Sequence, residues 1–277
     1  MKFAHWTSFH PCFNPEAHFR YARIHLPVAA KCNIQCNYCK RDLNKCEWRP
    51  GVASCLLSPE KAVKWVERAA RRYPELRVVG IAGPGEPLAN PETFQTLRMV
   101  HEAYPSLIKC IASNGLLLAE KAGELSRLGV KTVTVTINAV HPETASKIYE
   151  YVLYGGRVLR GLEAAGLLLR KQWEGLEVAV GLGLKVKVNF VFIPEINMGE
   201  VVEVAREASE RGAFLMNIIP LIPMHRFKDL RPPTCGELRE AREKAERYLP
   251  QFRLCRLCRA DACGVPGREP SAVPYAY

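Results

Sequence analysis

Apolar and β-branched runs recur along the chain at 23–28, 76–82, 107–112, 132–137, 186–193 and 215–221. Each has the length of a strand, and between them the apolar residues change to helical spacing. Val63, Val66, Ala70 and Tyr73 recur at three- and four-residue steps behind Ser58-Pro59-Glu60, which supplies an N-cap and a proline at the first helical position. Asn90-Pro91-Glu92 opens a second helix in the same way, and a third runs over 117–128 to a stop at Gly129. Val158, Leu162, Ala165 and Leu169 mark the buried face of a longer helix. Asn197 caps a fifth, and Thr234-Cys235-Gly236-Glu237 forms a capping box for a sixth.

Strands alternating with helices predict an α/β chain with a parallel sheet and right-handed crossovers. Six such units are fewer than the eight that close a TIM barrel. The expected fold is therefore a curved, partial (β/α)6 TIM-like barrel, with a doubly wound sheet as the alternative. In either architecture the chemistry sits at the carboxyl ends of the strands. Residues 1–20 and 250–277 follow neither pattern, yet both carry cysteines. One unit spanning 1–277 is expected, with the barrel at about 21–250 and a tail at 251–277.

Composition narrows the class. Of 277 residues, 48% are hydrophobic and 24% charged, which excludes a disordered chain, a coiled coil and a collagen-like fibre. No run of about 18 apolar residues is present, so no membrane span is expected. Lys and Arg exceed Asp and Glu by 39 to 28, a net charge of +11 that favours an anionic partner. Eleven cysteines are too few for a disulfide scaffold of this length, and odd in number. The first residues, with Lys2, His5 and His10, contain no apolar signal core, so a reducing cytoplasmic setting is expected, where clustered cysteines bind metal.

The cysteines of Cys32-Asn33-Ile34-Gln35-Cys36-Asn37-Tyr38-Cys39 follow the first strand at C-x3-C-x2-C spacing. Three thiolates this close can converge on one metal centre. A structural zinc would need a fourth ligand, whereas a cubane held by three cysteines keeps one iron open for a small molecule. Spacing alone leaves both readings.

The same motif at the end of a first strand resembles the radical S-adenosylmethionine (SAM) enzymes, with Tyr38 in the aromatic position before the third cysteine. Gly83-Pro84-Gly85-Glu86-Pro87 after the second strand resembles that family's GGEP motif, which implies that Gly83, Gly85 and Glu86 bind the methionine amino group. Ser113 and Asn138, at the ends of the third and fourth strands, are further SAM contacts on the same analogy. The resemblance implies that a reduced cluster on Cys32, Cys36 and Cys39 cleaves SAM to a 5′-deoxyadenosyl radical. Such a site must be enclosed against water.

Eight cysteines lie outside the motif: Cys12, Cys46, Cys55, Cys110, Cys235, Cys255, Cys258 and Cys263. His10-Pro11-Cys12-Phe13, His25 within the first strand, Arg49-Pro50-Gly51-Val52 and Cys255-Arg256-Leu257-Cys258-Arg259-Ala260-Asp261-Ala262 together resemble the maturases that build the iron–sulfur–carbide core of the nitrogenase cofactor. That resemblance implies three [4Fe–4S] clusters: one that binds SAM, and two substrates fused around a SAM-derived carbide, with an extra sulfur, into an 8Fe–9S–C precursor. It assigns the first substrate cluster to Cys12, His25 and Cys110, and the second to Cys46, Cys255 and Cys258. Glu47 is an accessory ligand and Cys55 the fallback for Cys46, whose loop is shorter than in the family. Cys235 and Cys263 are expected to be non-ligands. Implied partners are a cluster donor protein, a reductant such as an acidic ferredoxin, and a carrier or scaffold that receives the product. No nucleic acid, no membrane and a monomer are expected. The chain ends at Tyr277, where the family often continues into a carrier-like domain.

Two other functions fit parts of the pattern. A peptide-modifying radical SAM enzyme would carry auxiliary clusters, but typically all-cysteine ones, which His25 argues against. A basic zinc protein bound to nucleic acid would concentrate its cations, whereas Arg239-Glu240-Ala241-Arg242-Glu243-Lys244 mixes both signs along a solvated face.

Overall fold

The computed structural model describes residues 6–268. Residues 1–5 and 269–277, the two ends of the expected 1–277 unit and of its tail, lie outside the described residues. Strands β1 (Ala22–His25), β2 (Leu76–Ile81), β3 (Ile108–Ser113), β4 (Val130–Thr136), β5 (Lys185–Phe192) and β6 (Leu215–Pro220) lie side by side in chain order. All are parallel to their neighbours. A short β7 (Cys263–Gly264) adds antiparallel to the outer edge of β1. Because the order never reverses, same-handed crossovers put the helices on one face of the sheet, which excludes the doubly wound alternative. β1 and β6 remain unpaired with each other, so the sheet is an open, curled half-barrel.

Besides a single turn at Pro15–His18, the α-helices among the described residues are α1 (Pro59–Arg72), α2 (Pro91–Ala103), α3 (Leu118–Arg127), α4 (Pro142–Ile148), α5 (Gly161–Gly181), α6 (Val201–Glu210) and α7 (Cys235–Glu246). Strand alternation explains how they pack. Val133, Val135, Val186, Val188, Phe190, Phe192, Met216 and Ile218 share one core with helix residues such as Val66, Leu97, Leu125, Leu176 and Val204. The intervening Thr134, Thr136, Lys187, Asn189 and Asn217 point the other way and line a cavity. The apolar runs of the sequence thus conceal a polar inner row.

Ser58 accepts from Lys61 N, and Thr234 with Glu237 completes the capping box. Gly129 ends α3 with φ +75°, the left-handed conformation that favours glycine. Three expectations are corrected. Val158 and Leu162 are 58% and 57% exposed, because Val158 belongs to a hairpin strand and α5 starts only at Gly161. Asn197 makes no cap bond. Its Oδ1 accepts from Ile193 N while its Nδ2 donates to the carbonyls of Asn138 and Val191. Asn90 makes no cap bond either and ties two loops together instead. In both cases distant backbone groups outcompete the local helix end.

The unforeseen hairpin pairs Tyr149–Tyr154 with Arg157–Leu159 around Gly155 and Gly156, both at positive φ. A Gly-Gly pair between β-prone runs is the signal that could have found it. Its first strand also pairs with Ile34–Cys36, so it braces the three-cysteine loop.

The tail closes the open side of the sheet. Met216 N donates to Pro250 O and Phe252 N to Met216 O, which fixes the tail's start on β6. Residues 253–262 then cross to β1, where β7 pairs. Arg259 and Asp261 anchor the crossing, with side chains 2% and 0% exposed and Arg259 Nε 2.8 Å from Asp261 Oδ1. Breaking one member of a buried pair strands the other charge. Asp261→Asn should therefore cost about 3–5 kcal/mol in denaturant unfolding. Glu240→Gln, which removes the exposed Lys244–Glu240 pair, should cost under about 0.5 kcal/mol.

Candidate active site

The three-cysteine loop is held by its backbone rather than by its thiols. Gln35 Nε2 donates to the carbonyls of Cys36 and Cys39, both at 2.9 Å, and Arg41 in turn donates to Gln35 Oε1. Asn37 N donates to Ile148 O, and Asn37 Nδ2 to Lys147 O. Cys32, Cys36 and Cys39 are left to border the cavity, beside Tyr38. Burial, then the negative charge of Glu86, pushes the Cys32 thiol up to about 11. Burial and the neighbouring Cys39 and Cys32 raise Cys36, and burial raises Cys39 against the pull of Arg41 and Arg49. Thiols packed this way are poor anions alone and need a metal centre to ionise.

The Gly-Pro-Gly-Glu loop is stitched directly to the residues before Cys32. Gly85 N donates to Ala29 O at 2.7 Å and Glu86 N to Lys31 O at 2.8 Å. Asn90 completes the joint, accepting from Lys31 N and donating to the carbonyls of Lys31 and Glu86. A Cβ on Gly85 would lie 2.3 Å from Lys31 O, so only glycine permits this approach. Gly83, at φ +127°, makes the preceding turn. The Glu86 carboxylate is buried at the cavity and accepts from Ser113 Oγ, Leu88 N and Asn114 N at 2.7–3.0 Å. Burial still raises its pKa above the ordinary carboxylate value.

Ser113 borders the cavity, but its hydroxyl is spent on Glu86. Asn138 is fully buried and stands behind the cavity wall. Its Nδ2 donates to the hydroxyls of Tyr38 and Tyr149 at 3.0 and 3.1 Å, and its Oδ1 accepts from Val191 N. It positions Tyr38 rather than facing the cavity.

The same cavity, of about 290 Å³, is bordered by Cys12, His25, Cys110, Cys255 and Cys258. His25 Nδ1 donates to Arg259 O at 3.1 Å, so the lone pair of that tautomer is on Nε2. Gly80 on β2 is where this ring fits: a Cβ there would lie 3.0 Å from His25 Cδ2 and 3.9 Å from Cys110 Cβ. Burial pushes the Cys12 thiol up to about 12, against the pull of Lys187 and Arg23, with Cys258 and Cys110 near enough to raise it further. Arg23 donates to Cys258 Sγ at 3.0 Å. Cys258 therefore sits in the neighbourhood of Cys12 and Cys110. Cys46 and Glu47 lie outside the cavity lining. Cys46 is exposed, and Glu47 pairs with Arg49 at 2.5 Å. Arg259 ties their loop to the tail through the carbonyls of Asn44 and Glu47. Cys55 is exposed beside Ser54, Cys235 is exposed at the start of α7, and Cys263 is buried in β7.

Among the described residues no three His, Cys, Asp or Glu side chains converge tightly enough to hold a single metal ion. A zinc ion needs its thiolates about 2.3 Å from one point, whereas a cubane takes each thiolate on a different iron. Three cysteines that border one cavity suit such a cluster. Sequence reasoning did not single out Arg23, Lys187, Asn189, Asn217 or Tyr149. The even spacing of Lys187 and Asn189 within an apolar run was the signal available for two of them.

Comparison with known proteins decides the family. Residues 26–208 match the radical SAM superfamily. The FeMo cofactor biosynthesis protein NifB of Methanocaldococcus jannaschii is 49% identical over 95% of this chain and 88% of that protein. NifB of Chlorobaculum tepidum is 44% identical over 93% of this chain and 62% of its own length, and NifB of Azotobacter vinelandii 42% over 94% and 53%. The chain belongs to the NifB family of radical SAM enzymes. Its cofactors are accordingly a [4Fe–4S] cluster and SAM. Among the described residues no helix of this NifB-family chain is long and apolar enough to cross a membrane.

The stitched joint between the glycine loop and the thiol loop is testable by itself. Gly85→Ala should cost about 1–3 kcal/mol of unfolding free energy through overpacking against Lys31. Gly181→Ala, where a Cβ meets nothing within 4 Å, should be neutral or stabilising by up to about 1 kcal/mol. Paired denaturant titrations compare them.

Proposed function

We propose that this enzyme fuses two [4Fe–4S] substrate clusters and inserts a SAM-derived carbide, with one further sulfur, to form the 8Fe–9S–C precursor of the nitrogenase iron–molybdenum cofactor in a lyase-type radical SAM reaction. The observation that carries the reading is the single cavity. It is bordered both by the Cys32–Cys36–Cys39 loop with Glu86 and by a separate set of sulfur and imidazole groups, Cys12, His25, Cys110, Cys255 and Cys258. The names of the relatives support the same biosynthesis.

Cys32, Cys36 and Cys39 would hold the SAM-binding cluster, which when bound supplies the electron for reductive cleavage of SAM. Glu86 would accept the methionine ammonium. A buried carboxylate with a raised pKa gains most from a cationic partner, and its three donors fix its direction. Gly83 and Gly85 shape that loop, and Tyr38, oriented by Asn138, packs beside the thiols. Cys12, His25 and Cys110 would hold the first substrate cluster. Cys255 and Cys258 would hold the second, with Cys46 supplied from the loop that Arg259 ties to the tail and Glu47 beside it. Such sites are incompletely ligated because their cargo must leave. The tail's crossing would help to shield the radical chemistry from water. The net charge of +11 suits delivery of anionic clusters by a donor protein, electrons from an acidic ferredoxin and release to a carrier, for a monomer working in reducing cytoplasm.

Cys32, Cys36 and Cys39 changed together to Ala should remove about four irons per chain and all SAM cleavage while leaving iron at the other sites. Iron analysis with product chromatography checks this, and SAM cleavage by that variant would refute the assignment. A carbide needs a carbon source and a means of removing its hydrogens, so the cluster-loaded enzyme should form both S-adenosylhomocysteine and 5′-deoxyadenosine. Finding 5′-deoxyadenosine alone in a reaction that makes the eight-iron product would overturn the proposed carbide route.

A further inference from the structure

Lys187 is a lysine in an unusual position. It lies on the inner face of β5, is 6% exposed and borders the cavity. Of its three donors, one goes to Cys12 O at 3.2 Å. The ammonium also lies over the rings of Phe13 and Phe252, at 5.0 and 5.5 Å from their centroids, where the N-terminal extension and the tail meet the sheet. Among the described residues no carboxylate stands within ion-pair distance of it. Lysines that only support a fold carry the charge out to solvent or pair it, because a buried ammonium without compensation is costly. Lys187 instead keeps donors at the end of the cavity where the sulfur groups gather. Cys12, Cys110 and His10 all feel its charge, and Arg23 stands at the same end with a donor on Cys258 Sγ.

We propose that Lys187 is a positioning residue for the iron–sulfur cargo: its ammonium donates N–H···S hydrogen bonds to the cluster held by Cys12, His25 and Cys110, and balances the charge gained on reduction. This rests on the assignment of those three residues as a substrate-cluster site. Two thiolates cancel the charge of an oxidised cubane core, so the cluster is neutral until one electron makes it anionic. Hydrogen bonds to its sulfurs and a nearby positive charge both favour that reduced state. A lysine suits a cargo site better than an arginine fork, because a point charge on a flexible stem follows a cluster that must later move.

The test uses the full chain, anaerobically reconstituted, with Lys187→Met, Lys187→Arg and, as reference, Cys110→Ala. Iron content, the rate of iron loss to a chelator, the midpoint potential of the cluster signals and SAM affinity are measured. Lys187→Met should lose cargo-site iron to the chelator roughly tenfold to a hundredfold faster, as expected for one charge-assisted hydrogen bond. Its remaining cargo-site signal should shift to a more negative potential, with SAM affinity unchanged. Lys187→Arg, which keeps the charge, should restore most of the retention and the potential. Unchanged retention and potential in Lys187→Met overturn the proposal. So does a loss of SAM affinity without loss of iron, which would assign the ammonium to the SAM carboxylate. If Lys187→Met fails to fold, Lys187→Arg decides: iron loss as fast as from Cys110→Ala in a folded Lys187→Arg protein overturns the charge role. Cys110→Ala retaining all its iron would instead sink the underlying cluster-site assignment, an outcome distinct from failure of the lysine's role.

Discussion

Arg259 holds this architecture together. Its guanidinium is buried with Asp261 and also donates to the carbonyls of Asn44 and Glu47, while its own carbonyl accepts from His25. Asp261 accepts in turn from Ser54 N, and the intervening Ala260 N donates to Val52 O. One residue pair thus joins the tail, the loop beyond the three cysteines and the first strand. A parallel half-barrel of six strands has an open side and a polar interior, and neither is stable in a compact domain unless covered. The desolvation cost of a charge at that seam is tolerable because each of the three guanidinium nitrogens donates to an oxygen.

The strands and most helix ends were legible because their signals are local: apolar runs, a Ser-Pro start, a capping box, a left-handed glycine. What escaped was everything set by partners distant in sequence. Asn90 and Asn197 have the residue type of an N-cap, and only the fold reveals that loop carbonyls and amides claim them first. The hairpin at 149–159 was overlooked because Val158 falls in register with a helical stripe that starts later. At the site, the spacing of Cys32, Cys36 and Cys39 and the glutamate of the glycine loop stood out in sequence, since three residues in eight need no fold to become neighbours. Lys187 and Arg23 did not, because a cation inside an apolar run reads as an outward charge until the strand's faces are assigned.

The thiol loop also differs in kind from small metal-dependent folds, in which ligation itself orders the chain. Here Gln35, Arg41 and the hairpin fix the backbone, through the carbonyls of Cys36 and Cys39 rather than through their thiols. The backbone of the loop is set by its own hydrogen bonds, which suits the proposed role of presenting a cluster in one direction.

The crossing of the tail has a kinetic side. Arg23 NH1 donates to Gly264 O across 241 positions of sequence, among the longest-range contacts of the chain, whereas each strand of the half-barrel pairs with the strand beside it in chain order. Long-range closure is entropically late, and sequential parallel units assemble before it. The contacts of the tail's crossing therefore carry a larger loop-closure cost than those between neighbouring strands. The long-range part of the fold is thus concentrated at the seam that covers the polar interior, while the sheet beneath it is built from pairings between neighbours in chain order.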